Sequence, residues 1–472
     1  MSIYKTLLSD TIIYGFVNAF TKLISFFLFP LLATYFSVIE YGTLDYVQSF
    51  TTFLVLSLTF GLDSALVRFF YDNDELQNRK QLITEIFYLE LFIIFLYLSL
   101  ALLLKDQIIE LLQIKINSLI GIVILQVPFL LLINFSQNIL KWTFQRKQFL
   151  TISITYLLTL LGYCLFGVYY LKFDLYYYFL GCLIIQIIYS LIAFSVISKW
   201  IFKLDKVIFL MKLLRYALPL GIVSIFTALY PFIERNLVLF YTSEYSLGVY
   251  SIIYKYCYII LIIIYSFQIA WGPISYSIYK EKDSQKKFNT VLNIFTLLVC
   301  QAILIIYFLS DYIFPWFFGN EFEKMYILII PLSFAIGIQG VNSMLEASIH
   351  LSKKTNWILL INLIYLGCFS TLIIWDEITI LKIALTICFS SIIKFIITCI
   401  ISNRVYEIKW DLRQVTLILL STFLFGIYAV GIESIIPNII LFPFVLNILI
   451  YLFFNFKKIK MLAFNLNHKN FF

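Results

Sequence analysis

Charged residues are scarce in this chain: Asp, Glu, Lys and Arg make up 13% of its 472 residues, whereas a globular protein has about 25%. Hydrophobic residues reach 62%, which is more apolar surface than a soluble core can bury. The scarcity of charge therefore excludes a soluble globular protein and indicates a membrane protein.

The residues that carry most enzyme chemistry are also scarce or unpatterned. There are two histidines, and the seven cysteines lie in apolar runs, with neither a metal-ligand spacing nor a disulfide framework. We find no candidate nucleophile, metal cluster or Gly-rich phosphate loop. The longest connection predicted on the outer side, 310–325, has 16 residues, too few for the catalytic domain of a glycosyltransferase, polymerase or ligase. The sequence predicts a transporter without a cofactor rather than an enzyme.

Long apolar runs fill the rest of the chain. Residues 1–10 lack the short apolar stretch and small-residue cleavage site of a signal peptide, so we expect an uncleaved first span. Because about 20 apolar residues cross the hydrocarbon of a bilayer, the runs predict fourteen spans, at 11–36, 44–67, 83–104, 118–140, 149–171, 175–198, 216–240, 247–272, 288–309, 326–349, 357–375, 378–402, 415–436 and 438–455.

The distribution of Lys and Arg predicts the topology, since these residues collect in cytoplasmic loops. With a cytoplasmic N-terminus, 25 of the 34 basic residues fall in inside segments, four in outside loops and five within spans. Both termini are therefore predicted to be cytoplasmic. The net charge of +8 indicates anchoring to anionic membrane lipids and no nucleic-acid partner. Segment 199–215 mixes lysines with apolar residues and predicts a short amphipathic helix along the inner interface.

A constant offset relates the two halves of the chain. Gly42 after span one and Gly248 after span seven are 206 residues apart, and so are Lys147 before span five and Lys353 before span eleven. This offset favours two six-helix lobes in parallel repeat around a central cavity, a duplication on which alternating-access transporters are built. The predicted domains are an N-lobe, an amphipathic linker, a C-lobe, and a segment with the last two spans and a basic tail: 1–198, 199–215, 216–402 and 403–472.

Six short stretches carry a family resemblance: 40–42, 61–70, 218–220, 234–235, 247–251 and 271–273. They resemble the polysaccharide biosynthesis proteins that flip lipid-linked sugar repeat units. These are the Wzx-type flippases of the multidrug/oligosaccharidyl-lipid/polysaccharide superfamily. The resemblance is most specific between Pro219 and Pro273, and where the family often has Asp-Arg this chain has Glu234-Arg235, with the same charge order.

The resemblance implies a multi-pass protein of the bacterial plasma membrane. It implies a flippase that moves an undecaprenyl-diphosphate-linked oligosaccharide from the inner to the outer leaflet, for a cell-surface polysaccharide such as the O-antigen of lipopolysaccharide. Membrane lipids, a polysaccharide polymerase and chain-length proteins are the partners it implies. Two alternatives stay open: a flippase of the lipid-linked peptidoglycan precursor, which is also anionic, and a cation-coupled multidrug antiporter of the same superfamily.

A few charged residues lie inside the apolar runs, chiefly Lys22, Glu234, Arg235 and Lys255. An ionised group at mid-bilayer costs roughly 2.5–3.5 kcal/mol on insertion scales, so we expect these residues to have a function. Lys22 lies roughly 16 Å deep in span one at 1.5 Å per residue, while Arg235 and Lys255 are predicted in the outer half. The three cations are candidate ligands of a diphosphate.

Glu234 and Arg235 are about 100° apart on a helix and do not face one another. We expect Glu234 to contact Lys255 across the short hairpin, which leaves Arg235 or Lys22 for the phosphate. Glu234 is also the first candidate for a coupling proton or sodium ion. The alternative is that the four charges only pair with each other and stabilise helix packing.

Three tyrosines, Tyr250, Tyr254 and Tyr258, recur every four residues on span eight beside Lys255. They form either a ladder for sugar rings or ordinary helix packing. Three further carboxylates are either coupling sites or structural: Glu85, Glu90 and Glu346. Lys382 and Lys394 of span twelve are expected to extend toward the interface.

Overall fold

The computed structural model describes residues 20–21, 23–73, 75–112, 117–204, 206–278, 283–318, 326–352, 354, 356–374, 377–405, 409–431 and 443–455. Within these ranges the chain is helical and has no β-strand. Helices satisfy their backbone hydrogen bonds within one segment, as a chain surrounded by lipid requires.

Seventeen α-helices cover most of the described residues. They are α1 (Leu23–Tyr35), α2 (Val38–Thr59), α3 (Leu62–Asp72), α4 (Leu76–Leu103), α5 (Lys105–Leu112), α6 (Asn117–Trp142), α7 (Arg146–Phe166), α8 (Leu175–Ile197), α9 (Leu210–Tyr241), α10 (Glu244–Cys257), α11 (Ile259–Ile278), α12 (Ser284–Phe318), α13 (Ile329–Leu351), α14 (Asn356–Ile374), α15 (Ile380–Val405), α16 (Arg413–Gly431) and α17 (Pro443–Asn455). A π-helix, Gly167–Leu171, follows α7, and 3₁₀ turns lie at Ser198–Trp200 and Tyr326–Leu328.

Among the described residues, eleven helical segments are long and apolar enough to cross a membrane, and three shorter apolar helices accompany them. Each of the fourteen predicted spans has one counterpart among these segments. The second span consists of α2 and α3 together, as Val38–Asp72, and the eighth begins with α10 and continues into α11, as Glu244–Gln268. The predicted all-α, multi-pass membrane fold is confirmed. Residues 11–19 of span one and 432–436 of span thirteen lie outside the described residues.

The chain divides into two compact units, Met1–Ile252 and Ile253–Phe472. In the first unit α9 packs along α2 and α3, and α6 packs on α8. In the second unit α15 packs on α13 and α14, and α12 packs on α13 and α16. The lobe boundaries at 198 and 216 stay a prediction.

Helix α2 begins with a capping box and ends at a left-handed turn. Ser37 Oγ accepts a hydrogen bond from the backbone N–H of Glu40 at 3.3 Å, and the Glu40 carboxylate accepts one from Ser37 N–H at 2.9 Å. Phe60 and Gly61 have φ angles of 47° and 68°. A Cβ on Gly61 would lie 2.8 Å from the backbone nitrogen of Gly221 in α9, so both the backbone conformation and the close helix approach require glycine.

A second glycine contact joins the start of α2 to α10. A Cβ on Gly42 would lie 2.6 Å from the backbone nitrogen of Gly248, and a Cβ on Gly248 would lie 1.9 Å from the carbonyl oxygen of Val38. Small residues allow membrane helices to pack with their backbones in contact. The two glycines related by the 206-residue offset therefore pack directly on one another.

The segment before α9 differs from its prediction. Residues 201–204 and 206–208 are not helical, so the amphipathic helix predicted over 199–215 is wrong for this part. Side chains of α4 bind the backbone there: the two carboxylate oxygens of Glu85 accept hydrogen bonds from the N–H groups of Ile208 at 2.7 Å and Phe209 at 2.8 Å. These donors lie next to the N-terminus of α9, where a carboxylate is stabilised. Glu85 therefore has the structural role that was one of its two predicted alternatives.

Candidate functional site

A buried ion pair joins α9 to α2. Arg235 Nε donates a hydrogen bond to Asp45 Oδ2 at 2.6 Å, and Arg235 Nη1 donates another to the carbonyl oxygen of Pro231 at 2.9 Å. Both side chains are almost fully buried, with 3% and 2% of their surface exposed. Because the helices around them are apolar enough to span a membrane, each charge needs the other to offset its desolvation.

This pair corrects one expectation from the sequence. The sequence prediction left Arg235 or Lys22 without a carboxylate partner, so that it could bind the phosphate. In the structure, the Asp45 carboxylate pairs with the Arg235 guanidinium. Pairing with Asp45 is possible because α2 and α9 approach closely at the Gly61–Gly221 contact and continue packed from there.

Glu234 binds a different partner from Arg235. The Tyr250 hydroxyl of α10 donates a hydrogen bond to Glu234 Oε2 at 3.0 Å, and the Arg235 guanidinium carbon lies 5.8 Å from the centre of the Tyr250 ring. Both neighbours therefore adjoin Tyr250, Glu234 at its hydroxyl and Arg235 beside its ring. We refer to Asp45, Glu234, Arg235 and Tyr250 as the Arg235 cluster. It contains two carboxyl groups, one guanidinium and one phenol.

Aromatic rings extend the same helix contact. Asn236 Nδ2 donates a hydrogen bond to the Tyr46 hydroxyl at 2.8 Å, and the Tyr46 ring stacks on Phe232 with centroids 5.6 Å apart. Phe50 and Phe53 place their rings 5.2 and 5.7 Å from the Phe232 ring. These contacts exclude solvent and lipid from one side of the cluster, which strengthens its electrostatic interactions.

The remaining predicted site residues are Lys22, Lys255, Tyr254 and Tyr258. Lys22 lies outside the described residues. Lys255, in the last turn of α10, is half-buried, and its Nζ lies 5.8 Å from the Tyr258 ring. The rings of Tyr254 and Tyr258 are 5.1 Å apart. Helix α10 ends at Cys257, so the predicted tyrosine stripe runs across a helix break. The predicted contact between Glu234 and Lys255 stays a prediction.

Sequence reasoning missed Asp45, the central carboxylate of the site. The signal was present, because Asp45 is an ionisable residue inside the predicted second span, the criterion by which Arg235 was selected. Tyr46 and Asn236 gave no comparable signal, since single polar residues are frequent in these helices. Among the residues that the structure describes, no group of three His, Cys, Asp or Glu side chains could hold a metal ion.

Solved structures of transporters share the fold of this chain. One described as lipid II flippase MurJ in an inward closed conformation matches with a TM-score of 0.70 and 19% identity, over 96% of this chain and 100% of that chain. An inward-facing multidrug resistance MATE family transporter of the MOP superfamily matches with a TM-score of 0.60 and 12% identity, over 88% and 98%. The MATE multidrug transporter DinF-BH matches with a TM-score of 0.59 and 14% identity, over 86% and 97%.

The comparison with curated protein sequences gave no match. The model of the polysaccharide biosynthesis protein family matches residues 7–278, more than half of the chain. The matched region contains α1 to α11, and with them the whole Arg235 cluster. The chain belongs to the polysaccharide biosynthesis protein family.

Proposed function

We propose that this protein moves an undecaprenyl-diphosphate-linked oligosaccharide repeat unit from the inner to the outer leaflet of the bacterial plasma membrane. The observation that carries the proposal is a guanidinium buried between two helices of the membrane-spanning region, Arg235, in a member of the polysaccharide biosynthesis protein family. The cargo has an anionic diphosphate and a polar sugar, and hydrocarbon excludes both. The free-energy barrier that the protein lowers is the transfer of this head group, since each unsatisfied polar group in lipid costs several kcal/mol.

The Arg235–Asp45 pair suggests how the cargo is bound and released. Guanidinium groups bind phosphate oxygens in bidentate geometry and form charge-assisted hydrogen bonds with them. A diphosphate can therefore replace the Asp45 carboxylate on Arg235. Asp45 would hold the site when no cargo is bound, and its return to Arg235 would expel the diphosphate. Lys22 and Lys255 complete the proposed anion site, and Tyr250, Tyr254 and Tyr258 supply faces for the sugars.

Transport follows by alternating access. The carrier opens inward, accepts the head group while the polyprenyl tail stays in lipid, and opens outward as spans one, seven and eight rearrange. Pro219 and Pro231 lie inside α9, and each removes a backbone hydrogen-bond donor, which permits bending. Glu234 is the proposed site for a coupling proton or sodium ion, because it adjoins Arg235 and its carboxylate can bind either cation. Competition between this cation and the cargo follows by linkage.

The test is flipping of an undecaprenyl-diphosphate-linked oligosaccharide in proteoliposomes. Arg235→Ala should abolish flipping in protein that has inserted and elutes as a monodisperse peak. Arg68→Ala is the matched control, because Arg68 also pairs with a carboxylate, Asp72, but with 59% of its side chain exposed. Normal flipping by Arg235→Ala and Lys22→Ala would refute the anion site. Equal rates with and without proton or sodium gradients would remove the coupling proposal alone.

The proposed orientation has its own test. Single cysteines at positions 145 and 284 should be labelled from the cytoplasmic side, and a cysteine at 244 from the outside. Opposite labelling at any of these positions would overturn cytoplasmic termini and the direction of transport.

Two other cargoes deserve the same assay. The match to the MurJ structure over its full length favours the lipid-linked peptidoglycan precursor as the second candidate, since it carries the same diphosphate. The multidrug transporters of this fold suggest a cationic drug as the third, although a buried guanidinium repels a cation. Flipping of the peptidoglycan precursor but of no other polyprenyl-diphosphate saccharide would replace the proposed cargo, and drug efflux alone would replace the function.

A further inference from the structure

The second unit has a charged residue deep in a membrane span. Lys394 lies 14 residues after the start and 11 before the end of α15, Ile380–Val405, which places it about 16 Å from the nearer end at 1.5 Å per residue. The sequence predicted that its ammonium group extends toward the interface. The structure corrects this, because Lys394 Nζ contacts side chains of the neighbouring helices α13 and α14 instead.

Three groups surround the Lys394 ammonium. Nζ donates a hydrogen bond to Asn362 Oδ1 of α14 at 3.0 Å, lies 3.9 Å from Glu346 Oε1 of α13, and lies 5.8 Å from the centre of the Tyr365 ring. Asn342, one turn before Glu346, donates a hydrogen bond from Nδ2 to the same Glu346 Oε1 at 2.8 Å. A carboxylate, an amide oxygen and an aromatic face are the groups that bind monovalent cations and ammonium ions in proteins.

Two further polar side chains, Asn342 and Ser390, lie on the same helices as Glu346 and Lys394. Asn342 is 2% exposed, and its Oδ1 has no hydrogen-bond partner within the part of the chain that the structure describes. Ser390 is one helical turn before Lys394, is fully buried, and its Oγ likewise has no partner among the described residues. A buried amide oxygen without a donor normally costs free energy. Asn342 and Ser390 thus add buried oxygens on the two helices that carry Glu346 and Lys394, and oxygen acceptors suit a site that is built for a cation.

We propose that Glu346, Asn342 and Asn362 form a monovalent-cation site inside the membrane, and that the chain's own Lys394 ammonium occupies it. The lysine is a tethered cation, which joins α13, α14 and α15 without a soluble ion. Removing the lysine side chain should therefore create a vacant site, lined by a carboxylate and amide oxygens, that an external monovalent cation can enter. If the protein is the flippase proposed above, this site also needs no cation from solution during the transport cycle.

The experiment measures cation binding by the purified full-length protein, independently of transport. Thermal unfolding of Lys394→Ala is followed against increasing methylammonium chloride or sodium chloride, with choline chloride as the ionic-strength control. We expect a saturable rise in Tm of a few degrees with methylammonium or sodium and none with choline, because a ligand that binds only the folded state stabilises it. The wild-type protein should show no saturable rise.

Three further variants make the result decisive. Lys382→Ala is the matched control, since Lys382 is on the same helix 12 residues earlier, about 18 Å away, and it should give no cation response. The double variant Glu346→Gln/Lys394→Ala should lose the response of the single variant. If Lys394→Ala does not fold, Lys394→Ser provides a second test with the same expected response, because its short side chain also leaves the position of the ammonium group vacant.

The outcomes separate this inference from the flippase proposal. The inference is overturned if neither Lys394→Ala nor Lys394→Ser responds to a cation, if the response survives Glu346→Gln, or if the wild-type protein shows the same Glu346-dependent response. A protein that shows the expected cation responses but flips no lipid-linked saccharide would refute the proposed function and leave the cation site standing. In the flipping assay, Lys394→Ala should require methylammonium or sodium for activity that the wild-type protein shows without either.

Discussion

Replacing Asp45 with alanine should destabilise the protein strongly, because it leaves the Arg235 guanidinium buried without its carboxylate. The pair is 2.6 Å apart, and its two side chains are 3% and 2% exposed. Removing one partner of such a pair costs about 3–5 kcal/mol, most of which is the penalty of an uncompensated buried charge. Arg235→Met should cost a similar amount, since it leaves Asp45 unpaired. The double variant Asp45→Ala/Arg235→Met should cost less than either single variant, because it removes both members of the ion pair together.

The assay is unfolding in mixed dodecylmaltoside and SDS micelles, followed by far-ultraviolet circular dichroism, for the wild-type protein and the three variants. The exposed pair of Arg68 and Asp72, 3.3 Å apart on α3, is the control. Asp72→Ala should cost less than about 1 kcal/mol, as surface ion pairs do. Additive costs in the double variant, or a cost for Asp45→Ala no larger than that for Asp72→Ala, would show that the buried pair is not coupled and would refute this reasoning.

Three other perturbations test the elements around the cluster. Gly248→Val should prevent α10 from packing on α2, because even a Cβ at this position would lie 1.9 Å from a carbonyl oxygen of α2. Size-exclusion chromatography should then show loss of monodisperse protein. The control Gly121→Ala should behave as wild type, because no atom lies within 4 Å of the added carbon. Tyr250→Phe removes the hydrogen bond to Glu234 and should lower the free energy of unfolding by about 1–3 kcal/mol, and an unchanged unfolding midpoint would contradict this role. Glu85→Ala removes the carboxylate that accepts hydrogen bonds from the backbone before α9. Limited proteolysis should then cleave 201–209 faster than in the wild-type protein. Unchanged cleavage would count against a structural role for this carboxylate.

The membrane fold could be predicted from composition and periodicity. Hydrocarbon admits only segments whose backbone groups are satisfied internally, so a run of about 20 apolar residues indicates a helix almost independently of its neighbours. All fourteen predicted spans accordingly have a helical counterpart. The linker before α9 was predicted less well. Its lysine and apolar pattern indicated an amphipathic helix, but the contacts of Glu85 with the backbone at 208 and 209 come from another part of the chain.

The candidate site was predicted in part. Charge inside an apolar run identified Arg235 and Glu234 as buried ionisable residues. The same criterion would have identified Asp45, which was overlooked. The partner of Arg235 could not be deduced, because several carboxylates lie in predicted spans and a sequence does not state which helices touch.

The sequence by itself determined that this chain is an all-helical membrane protein. It also determined where the spans lie and which few charges are buried in them. Each of these properties follows from the transfer of a single segment from water to lipid. Only the tertiary structure decided which charges meet. The pairing of Arg235 with Asp45 depends on the close approach of α2 and α9 at Gly61 and Gly221, and the ligands of Lys394 come from two other helices. Contacts between helices depend on backbone proximity and side-chain direction in three dimensions, and hydropathy along one chain records neither of them.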